Sequence, residues 1–204
     1  MSFPKISITG IRLLLQEQRF NTASYGSVQC TIQGGESVRL PNCCERVFEM
    51  HRVGIIPFDT KDDLIALLFV TSQTRGRWIL PKGRQKSGET HSDTCHREGF
   101  EEAGVRGTVL EDFPITFPIT KQADKGVLKL PVTYYPYFVT EQVDEWPERK
   151  KRQRHWALLE DAPKVAYRED LLGVIQHFGT LRQWITESAE RYKSTQQAPQ
   201  MQAQ

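Results

Sequence analysis

Apolar residues recur along this chain in two periods. Arg52 to Asp59 and Leu64 to Thr71 are short runs rich in β-branched and aromatic residues. The turn-like Thr60-Lys61-Asp62-Asp63 separates them, which predicts a hairpin. Trp78 to Leu80 reads as a brief strand ended by Pro81. The loop Lys82 to Gly88 then leads into a helix over Thr90 to Ala103, which Ser92 or Asp93 can cap and Gly104 can end. Val105 to Leu110, Val132 to Val139 and His155 to Leu158 read as further strands, and Pro136 demotes the second of these to an edge or a bulge. The helical period returns from Arg168 to Glu187, with Leu171, Ile175, Phe178, Leu181 and Ile185 on one stripe. Helices therefore alternate with strands, and the predicted class is α/β.

The ends are less regular. Ile6 to Leu15 is apolar enough for a strand or a helix, and Gly34-Gly35 suggests a turn. Whether residues 1–45 complete the fold or make a contact between two copies in a homodimer stays open. Residues 46–190 carry the periodic elements, and 191–204 form a Gln-rich stretch expected to be a disordered tail. With 204 residues and 38% hydrophobic content, one domain can build a full core. No run reaches the roughly 18 apolar residues of a membrane helix, and Met1 to Lys5 opens no signal-peptide core. A soluble, cytoplasmic protein with no membrane partner is the expectation. Cys30, Cys43, Cys44 and Cys95 lack Cys-x2-Cys spacing and read as reduced thiols without a metal. A net charge of +2 argues against a broad nucleic-acid surface.

Chemistry concentrates in Gly83 to Val105. On a helix, Glu98, Glu101 and Glu102 stand at i, i+3 and i+4, so three carboxylates share one face and repel unless a cation holds them. Hard oxygen ligands with no adjacent Cys or His pair suit Mg2+, with Mn2+ as a substitute, and Mg2+ bridges carboxylates to phosphates. The expected ligand is a polyphosphate. His91 and His96 lie five apart and do not form a ligand pair, so they are expected on the surface. The four tryptophans are expected in packing.

Gly83, Glu89, Arg97, Glu98, Glu101, Glu102, Gly104 and Val105 resemble the Nudix box, Gly-x5-Glu-x7-Arg-Glu-U-x-Glu-Glu-x-Gly-U with U apolar. Gly99 departs from it, since an aliphatic residue normally fills that U position, and glycine costs about 1 kcal/mol of helix propensity against alanine. Arg77 to Gly83, Val139-Thr140-Glu141, Asp144-Glu145-Trp146 and Arg152-Gln153-Arg154-His155-Trp156 look like the diphosphoinositol polyphosphate phosphohydrolase branch and its bacterial relatives. Trp-Ile-Leu-Pro-Lys-Gly also resembles Nudix enzymes acting on diadenosine polyphosphates.

The resemblance implies an α/β/α sandwich with a mixed sheet between helices. It also implies a hydrolase that cleaves a phosphoanhydride bond in a diphosphoinositol or dinucleoside polyphosphate. Glu98, Glu102 and the Lys82 backbone carbonyl would hold Mg2+, with Glu101 beside them as general base. Glu98 or a residue outside the box are the alternative bases. Arg97 would orient carboxylates by reaching Glu101 and Glu89, Glu89 would anchor the loop, and Gly83 and Gly104 would shape it. The branch resemblance places substrate cations at Arg152 and Arg154, within the basic run Arg149 to Arg154. Arg52, Arg75, Arg77, Lys125 and Lys129 are further candidates. Alternative substrates are ADP-ribose, oxidised nucleotides and RNA 5'-ends, and a non-catalytic ligand sensor is the competing class.

Overall fold

The computed structural model describes residues 29–31, 37–39, 51–123, 126–166 and 168–197. The chain divides into two compact units, Met1–Arg39 and Leu40–Gln204, a few residues before the boundary expected at 45. In the first unit, β1 (Gln29–Thr31) pairs antiparallel with β2 (Ser37–Arg39), Cys30 opposite Val38. Ile6 to Leu15, Gly34-Gly35, Cys43, Cys44 and Lys125 lie outside the described residues.

The second unit is an eight-stranded mixed sheet between helices. Its strands are β3 (Arg52–Lys61), β4 (Leu64–Thr71), β5 (Trp78–Ile79), β6 (Lys82–Gly83), β7 (Val105–Val109), β8 (Ile115–Ala123), β9 (Gly126–Gln142) and β10 (Arg154–Leu158). The order is β10-β4-β3-β9-β7, with β5 on β4, β6 on β3 and β8 on β9. Only β3 and β9 run parallel. The alternation of β3 and β4 feeds both faces of the sheet. Ile56, Phe58, Leu67 and Phe69 enter one core, while Val53, Ile55, Leu68 and Val70 enter the other. Burial on both sides explains why these strands read as nearly unbroken apolar runs.

The first core is covered by α3 (Glu169–Gln197), whose Leu171, Ile175, Phe178 and Ile185 are buried as the helical stripe predicts. The second is covered by α1 (His91–Glu98) and the π-helical turn Gly99–Ala103 that continues it. A short α2 (Ala162–Val165) precedes α3. No helix among the described residues is long and apolar enough to cross a membrane.

Several expectations are corrected. Pro136 does not mark an edge: β9 is interior, with β3 along one side and β7 and β8 along the other. The ring sits where the neighbour changes from β8, which ends opposite Tyr134, to β7, which begins opposite Tyr137. A missing N–H at that changeover interrupts neither ladder. The strand Ile115–Ala123 was not anticipated at all. Helix α3 runs to Gln197 rather than Glu187, so residues 191–197 of the expected tail are helical.

Candidate active site

The box begins where β6 joins the sheet. Gly83 pairs with Val53 and Lys82 with Gly54, and Ile55 N–H donates to the Pro81 carbonyl at 3.0 Å, which fixes the loop entrance on the floor of the sheet. Helix α1 is capped by Thr90, not by Ser92 or Asp93. Thr90 Oγ1 accepts from Asp93 N at 3.0 Å and Asp93 Oδ2 accepts from Thr90 N at 2.9 Å, a reciprocal capping box. Gly104 closes the π turn at φ +63°, and a Cβ there would meet Trp146 Cβ at 2.9 Å. Its role as a motif glycine thus has two causes, backbone sign and the tryptophan above it.

Between cap and strand, Glu89 and Arg97 fasten the loop. Arg97 Nε donates to Glu89 Oε1 at 2.7 Å and Nη2 to Glu89 Oε2 at 2.9 Å, a bidentate pair, while Nη2 also reaches the Arg84 carbonyl at 2.8 Å. Glu89 Oε2 accepts in addition from Lys86 N at 2.9 Å and Thr94 Oγ1 at 3.0 Å. These donors hold the Glu89 carboxyl down to about 2, the Arg97 guanidinium being the largest cause. The remaining Arg97 nitrogen, Nη1, donates to Glu98 and, at 3.3 Å, to Glu101. The arginine therefore contacts two of the three carboxylates, Glu98 as well as the expected partner Glu101.

The three carboxylates do not share one face equally. A π turn bonds i to i+5 and advances through less angle per residue than an α turn. Glu102 accordingly comes back into line with Glu98, whereas Glu101 falls short of it. Glu98 and Glu102 are buried, and the Glu101 side chain is 38% exposed. Burial pushes the Glu98 carboxyl above its ordinary value despite Arg97. It pushes Glu102 up to about 7, against the opposing pull of Arg152 and Lys82. Glu102 Oε2 accepts from the Lys82 backbone N–H at 3.0 Å, so the loop and the π turn meet at this carboxylate. Glu98 lies so close over Gly83 that a Cβ at 83 would overlap its carboxyl group. That overlap is the physical reason for glycine at the start of the box.

Glu98 and Glu102, beside the backbone at Lys82 and Gly83, offer hard oxygens in a desolvated corner, a donor set that suits Mg2+ or Mn2+. Among the described residues no three His, Cys, Asp or Glu side chains already converge on one metal position. The negative charge is instead met by Arg97 and Arg152.

Arg152 and Arg154 stand apart from the substrate role expected of them. The Arg152 side chain is 6% exposed and donates to Glu102, to Glu148 and, at 2.8 Å, to the Thr71 carbonyl. Arg154 stacks on Trp146 at 3.9 Å and donates to the carbonyls of Val143 at 2.7 Å and Ala103 at 3.2 Å. Both guanidiniums are consumed in seating the segment after β9 on the π turn. That segment also bonds backbone to backbone, Glu148 N to Glu101 O at 3.2 Å and Val143 N to Gly104 O at 2.9 Å. Of the other cations, Arg52 is half-buried beside Glu98, whose charge raises its pKa while burial and Arg84 lower it. Arg77 is half-buried at the start of β5, and Lys129 is exposed on β9 opposite Thr120.

Sequence reasoning missed Glu148, Arg84 and Lys86. Glu148 was legible as an i to i+4 partner of Arg152, and Lys86 lies 3.9 Å from Glu101 across the loop. His91 and His96 are engaged rather than idle at the surface: their Nδ1 atoms bond the hydroxyls of Tyr135 at 2.8 Å and Tyr137 at 3.0 Å. Cys95 is a free, buried thiol whose pKa burial pushes up to about 12.

Carboxylates carried on a strand, loop and helix inside an α/β/α sandwich define the Nudix class. Comparison agrees: a model of the NUDIX domain matches residues 49–178, and the chain belongs to the Nudix family. It is 29% identical over 119 residues to Nudix hydrolase 12, mitochondrial, of Arabidopsis thaliana, covering 56% of this chain and 58% of that one. It is 31% identical over 117 residues to the Bos taurus diphosphoinositol polyphosphate phosphohydrolase 3-beta, covering 56% of this chain and 67% of that one. The matches thus span little more than half the length of the first plant relatives, 58% and 57%. A C. elegans Ap4A hydrolase in a binary complex superposes with a TM-score of 0.52 at 21% identity, over 64% of this chain and 96% of that one, a likeness of fold.

Proposed function

We propose that this chain is a Mg2+-dependent pyrophosphohydrolase that cleaves a phosphoanhydride bond in a small polyphosphorylated molecule, a diphosphoinositol polyphosphate or a dinucleoside polyphosphate. The observation that carries the reading is the division of labour among the three glutamates. Two are buried, each beside one arginine that leaves its pKa raised, and one faces solvent. Buried carboxylates whose pKa is raised gain most from a cation. Glu98 and Glu102, with the Lys82 backbone carbonyl, would hold Mg2+, which supplies charge neutralisation at phosphate oxygens and an acidified water. Glu101, exposed and steered by Arg97 Nη1, would take the proton of the attacking water on its carboxylate. As the water oxygen bonds phosphorus, the phosphoanhydride P–O bond breaks and the leaving phosphate departs with the electron pair. Arg52, Arg77 and Lys129 remain as cations for the substrate's phosphates. Arg152 and Arg154 act on the protein side, one holding Glu102 and the other the segment that covers Gly104.

The test is phosphate release with Mg2+ from diphosphoinositol phosphates, diadenosine polyphosphates, ADP-ribose, oxidised nucleoside triphosphates and triphosphorylated RNA. Glu101→Gln should lower kcat by about 10²- to 10⁴-fold with Mg2+ binding retained. Glu102→Gln should weaken Mg2+ itself. Tight binding of one compound with no turnover in the parent protein would replace the enzyme by a ligand sensor.

A further inference from the structure

Two cations of the loop, Arg84 and Lys86, are required neither by the spacing of the box nor by the packing of the helix. Their backbones are fixed and their side chains are not. The Arg84 carbonyl is held by Arg97 at 2.8 Å, and Lys86 N–H by Glu89 at 2.9 Å. Glu89 N–H returns to the Lys86 carbonyl at 3.1 Å, and Gly88 turns the chain at φ +82°. Both side chains are exposed, Lys86 at 61% and within 3.9 Å of Glu101.

Their charges lack adequate partners. The Arg84 guanidinium makes no hydrogen bond or ion pair among the described residues, while its backbone is tied to Arg97, the residue that contacts Glu98 and Glu101. Among the described residues the Lys86 ammonium pairs only with Glu101, at 3.9 Å, a solvent-exposed kind of pair that contributes little and is given up easily. A divalent ion among the glutamates would draw on the same negative charge and leave these cations with less. What the rim then lacks is an anion with several charges, placed above the carboxylates.

Resting on the pyrophosphohydrolase reading, we infer that Arg84 and Lys86 form a phosphate clamp. They grip phosphates beyond the two that flank the scissile bond, and so select substrates with three or more linked phosphates. The backbone pins fix the base of the clamp, so binding has to order only the two side chains.

The test uses the full chain, calorimetric titration with inorganic tripolyphosphate and with pyrophosphate in Mg2+, and the pair Arg84→Gln/Lys86→Gln beside Arg84→Lys/Lys86→Arg. The parent should bind tripolyphosphate at least about tenfold more tightly than pyrophosphate, a gap set by one or two charge-assisted contacts. The glutamine pair should lose about 10- to 100-fold on tripolyphosphate and much less on pyrophosphate, and the lysine-arginine pair should recover most of it. Equal loss on both anions, or none, overturns the clamp. Both substitutions are on exposed side chains, so an unchanged Tm is expected and verifies folding. The same ordering should appear as KM rather than kcat across ADP-ribose and diadenosine tri-, tetra- and pentaphosphates. Graded binding without any turnover would keep the clamp and remove the hydrolase, whereas turnover without grading would do the reverse.

Discussion

Glu102 makes the metal-free protein pay for its own active site in a way that pH can expose. Burial raises its carboxyl from the ordinary 4.5 to about 7 in the folded chain. Between these values the native state binds more protons than the unfolded state, so stability falls as pH rises through the window. At about 1.36 kcal/mol for each pH unit, the full effect approaches about 3 kcal/mol by pH 8. Other groups titrate nearby: His51 and His91 are pushed down by burial, so their contribution runs the opposite way, and Glu98 is pushed up and runs the same way. The clean quantity is therefore a difference. Urea unfolding of parent and Glu102→Gln, metal-free, at steps from pH 4.5 to 8, should show the variant gaining on the parent by about 2 to 3 kcal/mol across the series. With saturating Mg2+ the trend should vanish or reverse, because the ion stabilises only the folded parent. A difference that is flat with pH, or that grows in favour of the parent without metal, would refute the claim that Glu102 is held against its preferred ionisation.

Arg152→Met removes the buried partner of Glu102 and Glu148, and should lower unfolding stability by about 3 kcal/mol at pH 8, the usual cost of breaking a buried pair. A raised KM with unchanged Tm would instead return Arg152 to the substrate. Gly83→Ala places a methyl in the space of the Glu98 carboxyl, and should weaken Mg2+ binding by about 10- to 100-fold in a calorimetric titration. At Gly99 a Cβ would lie 2.9 Å from Cδ1 at the tip of the buried Ile55 side chain. Alanine there should stay within about 1 kcal/mol of the parent, since helix propensity offsets the shifted methyl, while Gly99→Val should lose about 2 kcal/mol or more by overpacking in thermal unfolding.

The parts of the fold that were legible are those where one physical cause dominates. The β3 and β4 runs announced themselves because both faces are buried, and α3 because one stripe is. Strand β8 was hidden by Pro118, which stands opposite Pro131, a pairing visible only once two strands are side by side. The end of α3 was misplaced because polarity suggested a tail while the helix ran on. At the site, the resemblance to the box named the residues, while helical spacing assumed an α-helix and so grouped three carboxylates that the π turn divides. The basic run Arg149 to Arg154 looked like one patch. Folding sorts it by depth: Arg149 pairs with Glu145 at the surface, and Arg152 and Arg154 turn inward. Which cation faces which way depends on Trp146 just upstream and on Glu102, which is distant in sequence.

The pins that Glu89 and Arg97 drive into the loop grasp main-chain atoms of residues 84 and 86, never their side chains. Either side chain can change without loosening a fastening, proline at 86 excepted because it lacks the N–H that donates to Glu89. Holding and choosing are thereby assigned to different atoms. Side chains in this short loop can vary while the fastening of the loop to the helix stays as it is, so surface chemistry can change here one residue at a time without disturbing the carboxylates.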